Sequence, residues 1–137
     1  MTKANLFEFL SRHRYAVVSS VSANGSPQSA VVGIGVSSDL EIVFDTLKST
    51  RKYANLIANP AASVTVWTGE ITAQLDGIAR EPEGTERNLY REIYFETWPD
   101  GRTRLSWPGL THIVIRPKWI RYTDFDQRPP QIEEFTF

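Results

Sequence analysis

The chain of 137 residues contains no cysteine and only two histidines, His13 and His112. Without cysteine it can form neither disulfide bonds nor cysteine-based metal sites, and it has no thiolate nucleophile. A metal site usually needs three or more ligands close together, so two isolated histidines do not indicate one. No serine, histidine and aspartate follow one another with the spacing of a catalytic triad. The sequence therefore predicts no metal site and no obvious nucleophilic side chain.

Long apolar runs are also absent. No stretch approaches the roughly 20 apolar residues that span a membrane, and Met1 to Arg14 mixes charged with apolar residues, unlike a signal peptide. We therefore expect a cytoplasmic protein without a membrane segment. The formal net charge of -1 argues against general nucleic-acid binding, but it is compatible with a small basic pocket. The length is that of one domain, so we expect residues 1–137 to form a single domain.

Short segments rich in β-branched and aromatic residues recur along the chain, separated by turn signals such as Asn24-Gly25. Three helical segments interrupt them, so the predicted fold is mainly β, a barrel with attached helices. The predicted helices cover residues 3–13, 50–58 and 83–97, with Leu56, Ile57, Leu89 and Ile93 among the core-facing positions. The predicted strands cover residues 15–21, 29–36, 40–44, 63–68, 71–79, 111–116 and 119–122. Residues 98–109 are expected to form an ordered loop, and residues 124–137 a C-terminal tail.

Ser49-Thr50-Arg51-Lys52, where a strand gives way to the second helix, is the segment that most directly indicates binding chemistry. Serine and threonine before a helix cap its free backbone N–H groups, and those groups together with the helix dipole also favour an anion. Arg51 adds a planar guanidinium fork and Lys52 a compact positive charge. The combination suits a terminal phosphate monoester. The segment alone leaves a simpler alternative open, a capped helix with a solvated basic face.

An ordered series of short motifs surrounds this segment. In chain order they are Phe44-Asp45-Thr46, Ser49-Thr50-Arg51-Lys52, Asn55-Leu56, Asn59-Pro60, Ser63-Val64-Thr65-Val66 and Gln74-Leu75-Asp76-Gly77. The stretch from about Tyr15 to Glu81 resembles the pyridoxamine 5'-phosphate oxidase-like family of FMN-binding split β-barrels. The resemblance implies a split barrel of antiparallel strands and an FMN held at the interface of a homodimer.

The resemblance also implies positions for the cofactor. Carried over by position, the residues that bind the FMN phosphate would be Arg51 and Lys52, helped by Ser49 or Thr50. The residues along the flavin would be Val31, Val32, Gly33, Asp45 and Thr46, with Thr72 or Gln74 at a polar edge. An aromatic or cationic group of the partner chain would complete the site, and the candidates are Trp107, Arg102 and Arg104.

The sequence departs from the family on the second strand, where the oxidases carry an arginine and a lysine and this chain has Ala30 and Gly35. Their C-terminal substrate-binding segment has no counterpart here either, so vitamin B6 oxidation is not expected. The function implied is an FMN-dependent oxidoreductase that takes electrons from NAD(P)H or from its own small-molecule substrate. One alternative is a module that binds or senses a flavin (FMN or FAD), deazaflavin F420 or haem without turnover. Another is a structural dimer with an empty pocket.

Two further groups of residues are less specific. Glu81, Glu83 and Glu86 are close in sequence, and we interpret them as structural because acidic side chains suit the start of a helix. Trp98 to Trp107 interleaves aromatic and cationic residues. That mixture can stack on a flavin or a nucleobase, pack into a neighbouring subunit, or simply pin a loop.

Overall fold

The structure, a computed structural model, describes residues 1–137 as an antiparallel sheet with α-helices and one 3₁₀ helix attached to it. The first half of the chain forms α1 (Lys3–Ser11), β1 (Tyr15–Val21), β2 (Pro27–Gly33), β3 (Gly35–Val36), β4 (Ile42–Leu47) and α2 (Arg51–Ala58). The second half forms β5 (Ala61–Thr68), β6 (Ile71–Arg80), α3 (Gly84–Thr97), the 3₁₀ helix (Pro99–Ser106), β7 (Leu110–Asp124) and β8 (Gln131–Thr136).

The strands lie in the order β2-β1-β5-β6-β7-β4-β3, with β8 added to β7. The chain passes from β2 to β3 through Ile34 alone, although these strands stand at opposite ends of that order. The sheet therefore has to curl until its two edges meet, which confirms the predicted split barrel. β2 pairs only with β1, and Phe44–Leu47 of β4 pair only with β7. We call the gap between these two unpaired edges the split.

Alternating side chains give the sheet an inner and an outer face. In β1 and β5 every second residue is buried, as a strand with one face on a core requires. Leu6 and Leu10 of α1 close one side of the main core. A second, smaller core lies on the other face of β4 and β7, beneath α3, and consists of Val43, Tyr94, Phe95 and Val114. The sheet segment β4–β7 is therefore covered on both faces.

The hairpin predicted at Asn24-Gly25 is present, and Gly25 adopts a positive φ of +84° there. Its loop is longer than a two-residue turn, because strand pairing stops at Val21 and Pro27. The β5–β6 connection is the tighter one: Thr68 pairs with Ile71 across two residues, and Gly69 takes φ +57°. Positive φ is readily available to glycine, which explains its place in both turns.

The end of the chain is more regular than the sequence predicted. β7 is one continuous strand instead of two, with a bulge at Lys118 opposite Asp76 and Gly77. The expected tail contains β8. Because β4 covers the edge of β7 only as far as Ile115, β8 pairs with the remainder from Trp119 onward and leaves less of that edge open.

The expected loop before β7 contains the 3₁₀ helix, which begins at Pro99. The predictions for two helical side chains were wrong: Ile57 is 54% exposed and Leu89 is 67% exposed. The buried side chains of α3 are Tyr94 and Phe95. None of the helices is both long and apolar enough to cross a membrane. No three histidine, aspartate or glutamate side chains are grouped so that they could hold a metal ion.

Candidate functional site

A cavity of about 350 Å³ opens at the split, beside the first turn of α2. It is lined by Val18 and Ser20 of β1, Gln28, Ser29 and Ala30 of β2, and Ser49, Thr50, Arg51 and Lys52. The last four form the segment predicted to bind phosphate, and the structure brings all of them to one cavity. A strand edge and a helix N-terminus therefore face each other across it.

The start of α2 leaves donors free on the cavity side. Thr50 is the N-cap: its Oγ1 accepts a hydrogen bond from the Tyr53 amide at 3.4 Å and lies 2.8 Å from Oγ1 of Thr46. Its hydroxyl also lies 2.9 Å from the Leu47 carbonyl oxygen. The amides at the start of a helix have no intrahelical acceptor, and the Thr50 side chain serves only that of Tyr53, so the amides of Arg51 and Lys52 remain available to a ligand. The Thr50 hydroxyl shapes the turn, and the hydroxyl of Ser49 stays free of these contacts.

Arg51 and Lys52 form no ion pair with any acidic side chain. Their two positive charges add to the positive end of the helix dipole at the same place. The cavity thus presents cations, a free hydroxyl and backbone amides together. That donor set fits a phosphate group.

Asn55, one turn further along α2, anchors the helix to the barrel. It is buried, and its Nδ2 donates to Oγ of Ser20 at 3.0 Å and to Oε1 of Gln28 at 2.9 Å. Both acceptors line the cavity. From the sequence, Asn55 is recognised only as part of the Asn55-Leu56 motif, with no predicted role. Its position four residues after Arg51 is the signal that places both side chains on one side of α2.

Glu81, which we interpret from the sequence as a structural residue, connects α2, β7 and the segment after β4. Its carboxylate accepts hydrogen bonds from the Tyr53 hydroxyl at 2.9 Å and from the Thr111 hydroxyl, and the Lys48 ammonium lies 3.9 Å away. The hydrogen bond from Tyr53 to this carboxylate raises the pKa of the Tyr53 hydroxyl. Sequence reasoning missed the partnership because Glu81 lies 28 residues from Tyr53 and 30 from Thr111.

Asp45 and Thr46 are neighbours on β4 and therefore point to opposite faces. Thr46 points inward to Thr50, whereas Asp45 lies beneath α3 and accepts a hydrogen bond from Nε of Arg104 at 2.9 Å. The Arg104 guanidinium also donates to the Tyr94 hydroxyl at 3.2 Å. Burial, and then the charge of Asp45, raise the pKa of Tyr94. The Asp45 carboxylate is therefore engaged away from the cavity.

The three residues predicted along the flavin on β2 lie in different surroundings. Val31 is 66% exposed on the outer face, and Val32 is buried in the core. At Gly33 a Cβ would lie 2.7 Å from the Trp98 ring. The structure therefore offers the backbone edge of β2 to the split rather than a row of three side chains.

Thr72 and Gln74 lie on β6, on the outer face of the sheet, and do not line the cavity at the split. Strand register places Gln74 in one row with Thr65, Val17 and Val31. These predicted positions therefore belong to a surface separate from the phosphate segment in the single chain.

Arg102, Arg104 and Trp107, the candidates for contact with the flavin of a partner chain, differ in whether other side chains of the same chain already hold them. Arg102 is held by the Glu92 carboxylate at 3.0 and 2.7 Å, and Arg104 is held by Asp45. Trp107 is 52% exposed. It precedes Gly109, whose carbonyl accepts a hydrogen bond from the Lys48 amide, so it lies near the end of β4 that leads into the phosphate segment.

The two positions without the family's cations are not equivalent. Ala30 lines the cavity, so a longer side chain there would enter it. Gly35 is buried, and a Cβ would meet the Tyr94 Cα at 2.8 Å. α3 therefore packs where a side chain at Gly35 would begin, and this barrel has no room for a cation there.

His112 is buried on the face of β7 beneath α3, against the rings of Tyr94 and Phe95. Its Nδ1 lies 3.2 Å from Nε of Arg91, which donates to it, and its Nε2 has no partner. Burial, followed by the charge of Arg91, lowers the pKa of His112 to about 4. The imidazole is neutral near pH 7 and faces away from the cavity, so it is not a base for chemistry at the split.

Comparison with known proteins agrees with this geometry. A sequence model described as pyridoxamine 5'-phosphate oxidase matches residues 2–124. The chain belongs to this family. No curated protein matches the chain closely enough to count as a relative. Membership in the pyridoxamine 5'-phosphate oxidase family confirms the predicted resemblance.

Solved structures share the fold at low sequence identity. A haem-binding protein from Mycobacterium smegmatis has a TM-score of 0.82 and 18% identity, over 98% of this chain and 56% of that one. A conserved hypothetical protein from Mycobacterium tuberculosis has a TM-score of 0.77 and 18% identity, over 90% and 85%. A pyridoxamine 5'-phosphate oxidase-related, FMN-binding protein from Nostoc punctiforme has a TM-score of 0.69 and 11% identity, over 98% and 92%. The chain thus spans about half of the first of these proteins and most of the other two.

Proposed function

We propose that this chain binds FMN through its phosphate at the split and acts as an FMN-dependent oxidoreductase on a small-molecule substrate. The observation that carries the proposal is the cavity beside α2, where the unpaired cations Arg51 and Lys52 meet the helix N-terminus. Family membership makes a flavin phosphate the expected anion at this place. Genuine pyridoxamine 5'-phosphate oxidase activity is not part of the proposal, because Ala30 and Gly35 replace two cations of those oxidases.

The residues at the split fit both ends of such a cofactor. Ser49, Arg51, Lys52 and the first amides of α2 would hold the phosphate. The unpaired backbone groups of β2 and of Phe44–Leu47 supply donors and acceptors that suit the polar edge of a flat heterocycle. When bound, the flavin supplies the redox chemistry, and the protein supplies position and electrostatics. Asn55 and Glu81 hold α2 in place for that task.

The cavity lining contributes binding groups rather than an acid or a base. Its titratable side chains are Arg51 and Lys52, both of which hold positive charge for an anion. His112 lies beneath α3 and Asp45 is paired with Arg104. The chain's part in the proposed reaction is therefore to bind, orient and shield, and electrons would come from NAD(P)H or from the substrate.

A homodimer is part of the proposal. Tyr15, Val31 and Trp67 are each more than half exposed and point to the outer face of the sheet, where Tyr15 and Val31 flank Val17. An apolar outer face of this kind suits a twofold interface, in which the same surface is used by both copies. Size-exclusion chromatography with light scattering should give twice the monomer mass of 15.6 kDa. A monomer at micromolar concentration would contradict the interfacial site.

FMN titration followed by flavin fluorescence tests the cofactor. The double variant Arg51→Ala/Lys52→Ala should bind FMN at least about tenfold more weakly, because charged hydrogen bonds contribute about 1.5–3 kcal/mol each. Riboflavin, which lacks the phosphate, should bind wild type and variant alike. The matched control Arg116→Ala/Lys118→Ala makes the same change of charge on exposed residues away from the split and should bind FMN normally. FMN affinity that is unchanged in the first variant, or absent in the wild type, would contradict the proposal.

A binding or sensing module without turnover is the second candidate function. The single pair of free cations at the split favours it, since Ala30 adds no third charge. The structural neighbour described as haem-binding extends the ligands to be tested to haem, beside deazaflavin F420 and FAD. Absorbance titrations with haemin and each flavin identify the ligand. Steady-state NAD(P)H consumption with candidate acceptors then separates the functions, because a module would hold its ligand without consuming NAD(P)H.

A further inference from the structure

A cavity of about 740 Å³ lies away from the split. It is bordered by the β3–β4 turn, the end of β6, Lys3 of α1, α3, the bulged part of β7 and Phe137. Glu41 in its wall lies just before β4 and the phosphate segment follows β4, so the six residues of this strand separate the two sites by about 20 Å at 3.3 Å per residue. A ligand here would therefore not touch the phosphate segment.

The β7 bulge shapes one wall. Pro117 is buried, while Arg116 and Lys118 on either side of it are exposed and both line the cavity. Across the strand pair, a Cβ on Gly77 would lie 2.4 Å from the carbonyl oxygen of Arg116, so only glycine permits this close approach. The backbone of β6 and β7 thus fixes two cations on the same wall.

The charged side chains at the floor of this cavity are paired with one another. Glu41 is buried, accepts the Tyr90 hydroxyl at 2.8 Å and lies 3.7 Å from the Arg80 guanidinium. Arg80 also forms an ion pair with Glu86. These groups satisfy one another and hold the floor in a single arrangement, because a buried carboxylate without partners would be costly.

The cations that remain have no acidic partner. Lys3, Arg116 and Lys118 line the cavity without an ion pair, and the unpaired carboxylate of Asp39 lies beside them. Lys3 is held over the Phe137 ring at 4.5 Å. The wall therefore carries an excess of positive charge in a chain whose net charge is -1. A concave wall of one sign raises the local concentration of counter-ions.

We propose that this cavity is a second ligand site, which binds a small organic molecule carrying two negative charges. The Arg116 guanidinium offers a fork for one carboxylate or phosphate, and Lys118 and Lys3 offer point charges. Leu40, Pro117 and the Phe137 ring give the ligand's carbon skeleton an apolar surface. Asp39 disfavours ligands that bring more negative charge than the three cations can balance.

Backbone NMR titration tests this directly. Succinate and glycerol 3-phosphate serve as the dicarboxylate and phosphomonoester probes, and their amide titrations report which site each occupies. We expect saturable shifts at residues 38–41 and 116–118 with at least one probe, and weaker binding as salt is raised. Glycerol 3-phosphate is also expected to shift the amides of Ser49–Lys52, as a separate event.

Paired variants decide the assignment. Arg116→Ala/Lys118→Ala should reduce the probe affinity measured from the shifts at residues 38–41 at least about tenfold. Arg51→Ala/Lys52→Ala should leave that affinity unchanged. Both pairs replace exposed or half-buried side chains, so the fold should be retained, which the rest of the spectrum reports. Unchanged affinity in the first variant, or no saturable shift at residues 38–41 with either probe, overturns the second site. Neither result bears on FMN binding at the split.

Discussion

Mild acidification should destabilise this protein through His112. The imidazole is 1% exposed, its Nε2 has no hydrogen-bond partner, and Arg91 donates to its Nδ1. Burial, and then the charge of Arg91, lower the pKa of His112 from 6.5 to about 4. Between these pH values the unfolded chain binds a proton that the folded chain does not bind. The free energy of unfolding should therefore fall as the pH is lowered through this window.

The size of the effect follows from the same pKa difference. It corresponds to about 3 kcal/mol, at about 1.4 kcal/mol per pH unit, fully present above pH 6.5 and lost by about pH 4. Domains of this kind are stable by about 5–15 kcal/mol in total. His112→Leu should remove this contribution to the pH dependence. At neutral pH the variant loses ring contacts with Tyr94 and Phe95 worth about 1 kcal/mol. The substitution also removes the buried, unpartnered Nε2–H of His112, which by itself destabilises the folded protein by a similar amount.

Urea denaturation at a series of pH values between neutral and about pH 4.5 measures this difference. Wild type should lose stability more steeply than His112→Leu, and the two should differ little at neutral pH. His13→Gln, which removes the other histidine, is the matched control for the loss of an imidazole. Parallel curves for wild type and His112→Leu would refute the reasoning. So would a ring NMR titration in which His112 takes up a proton near pH 6.5 in the folded state.

Three further predictions concern the barrel around the split. Ala30→Arg should tighten FMN binding about fivefold, since a third cation at the cavity contributes about 1 kcal/mol. Val31→Arg on the outer face should not tighten it, and equal FMN affinity of the two variants would contradict the assignment of the cavity. Gly35→Ala should cost about 1–3 kcal/mol of unfolding free energy by urea denaturation, because its Cβ would meet the Tyr94 Cα at 2.8 Å; an unchanged midpoint would show that α3 can shift freely. Glu81→Gln should cost about 1–2 kcal/mol and lower the melting temperature in calorimetry by several degrees, because a glutamine amide has one acceptor oxygen for the two hydroxyls of Tyr53 and Thr111. A melting temperature equal to that of the wild type would argue against this hydrogen-bond network.

Local patterns predicted much of the fold. The strands predicted over residues 15–21 and 71–79 are present as Tyr15–Val21 and Ile71–Arg80, and Asn59-Pro60 ends α2 as expected. Thr50 caps that helix. Each of these features depends on a few consecutive residues, so their order in the chain contains the necessary information.

Side-chain direction within the helices was harder to predict. Ile57 and Leu89 are apolar and fit a helical pattern, yet both are exposed, and the buried Asn55 takes a place next to Leu56 on the inner side of α2. A helix of eight residues allows more than one apolar face. The choice is made by the strands beneath it, where Ser20 and Gln28 hold the Asn55 amide.

The sequence by itself determined most of the strands, the capped start of α2 and the place of Ser49-Thr50-Arg51-Lys52 at the N-terminal end of that helix. Those features follow from side-chain periodicity and from capping, which act over a few residues. The tertiary structure alone decided that Asp45 is paired with Arg104, that Glu81 accepts from Tyr53, and that a bulge presents Arg116 and Lys118 to a second cavity. The partners in these contacts lie tens of residues apart or on different strands. Only the curling of the sheet brings them within hydrogen-bonding or ion-pair distance, and no local pattern in the chain encodes that meeting.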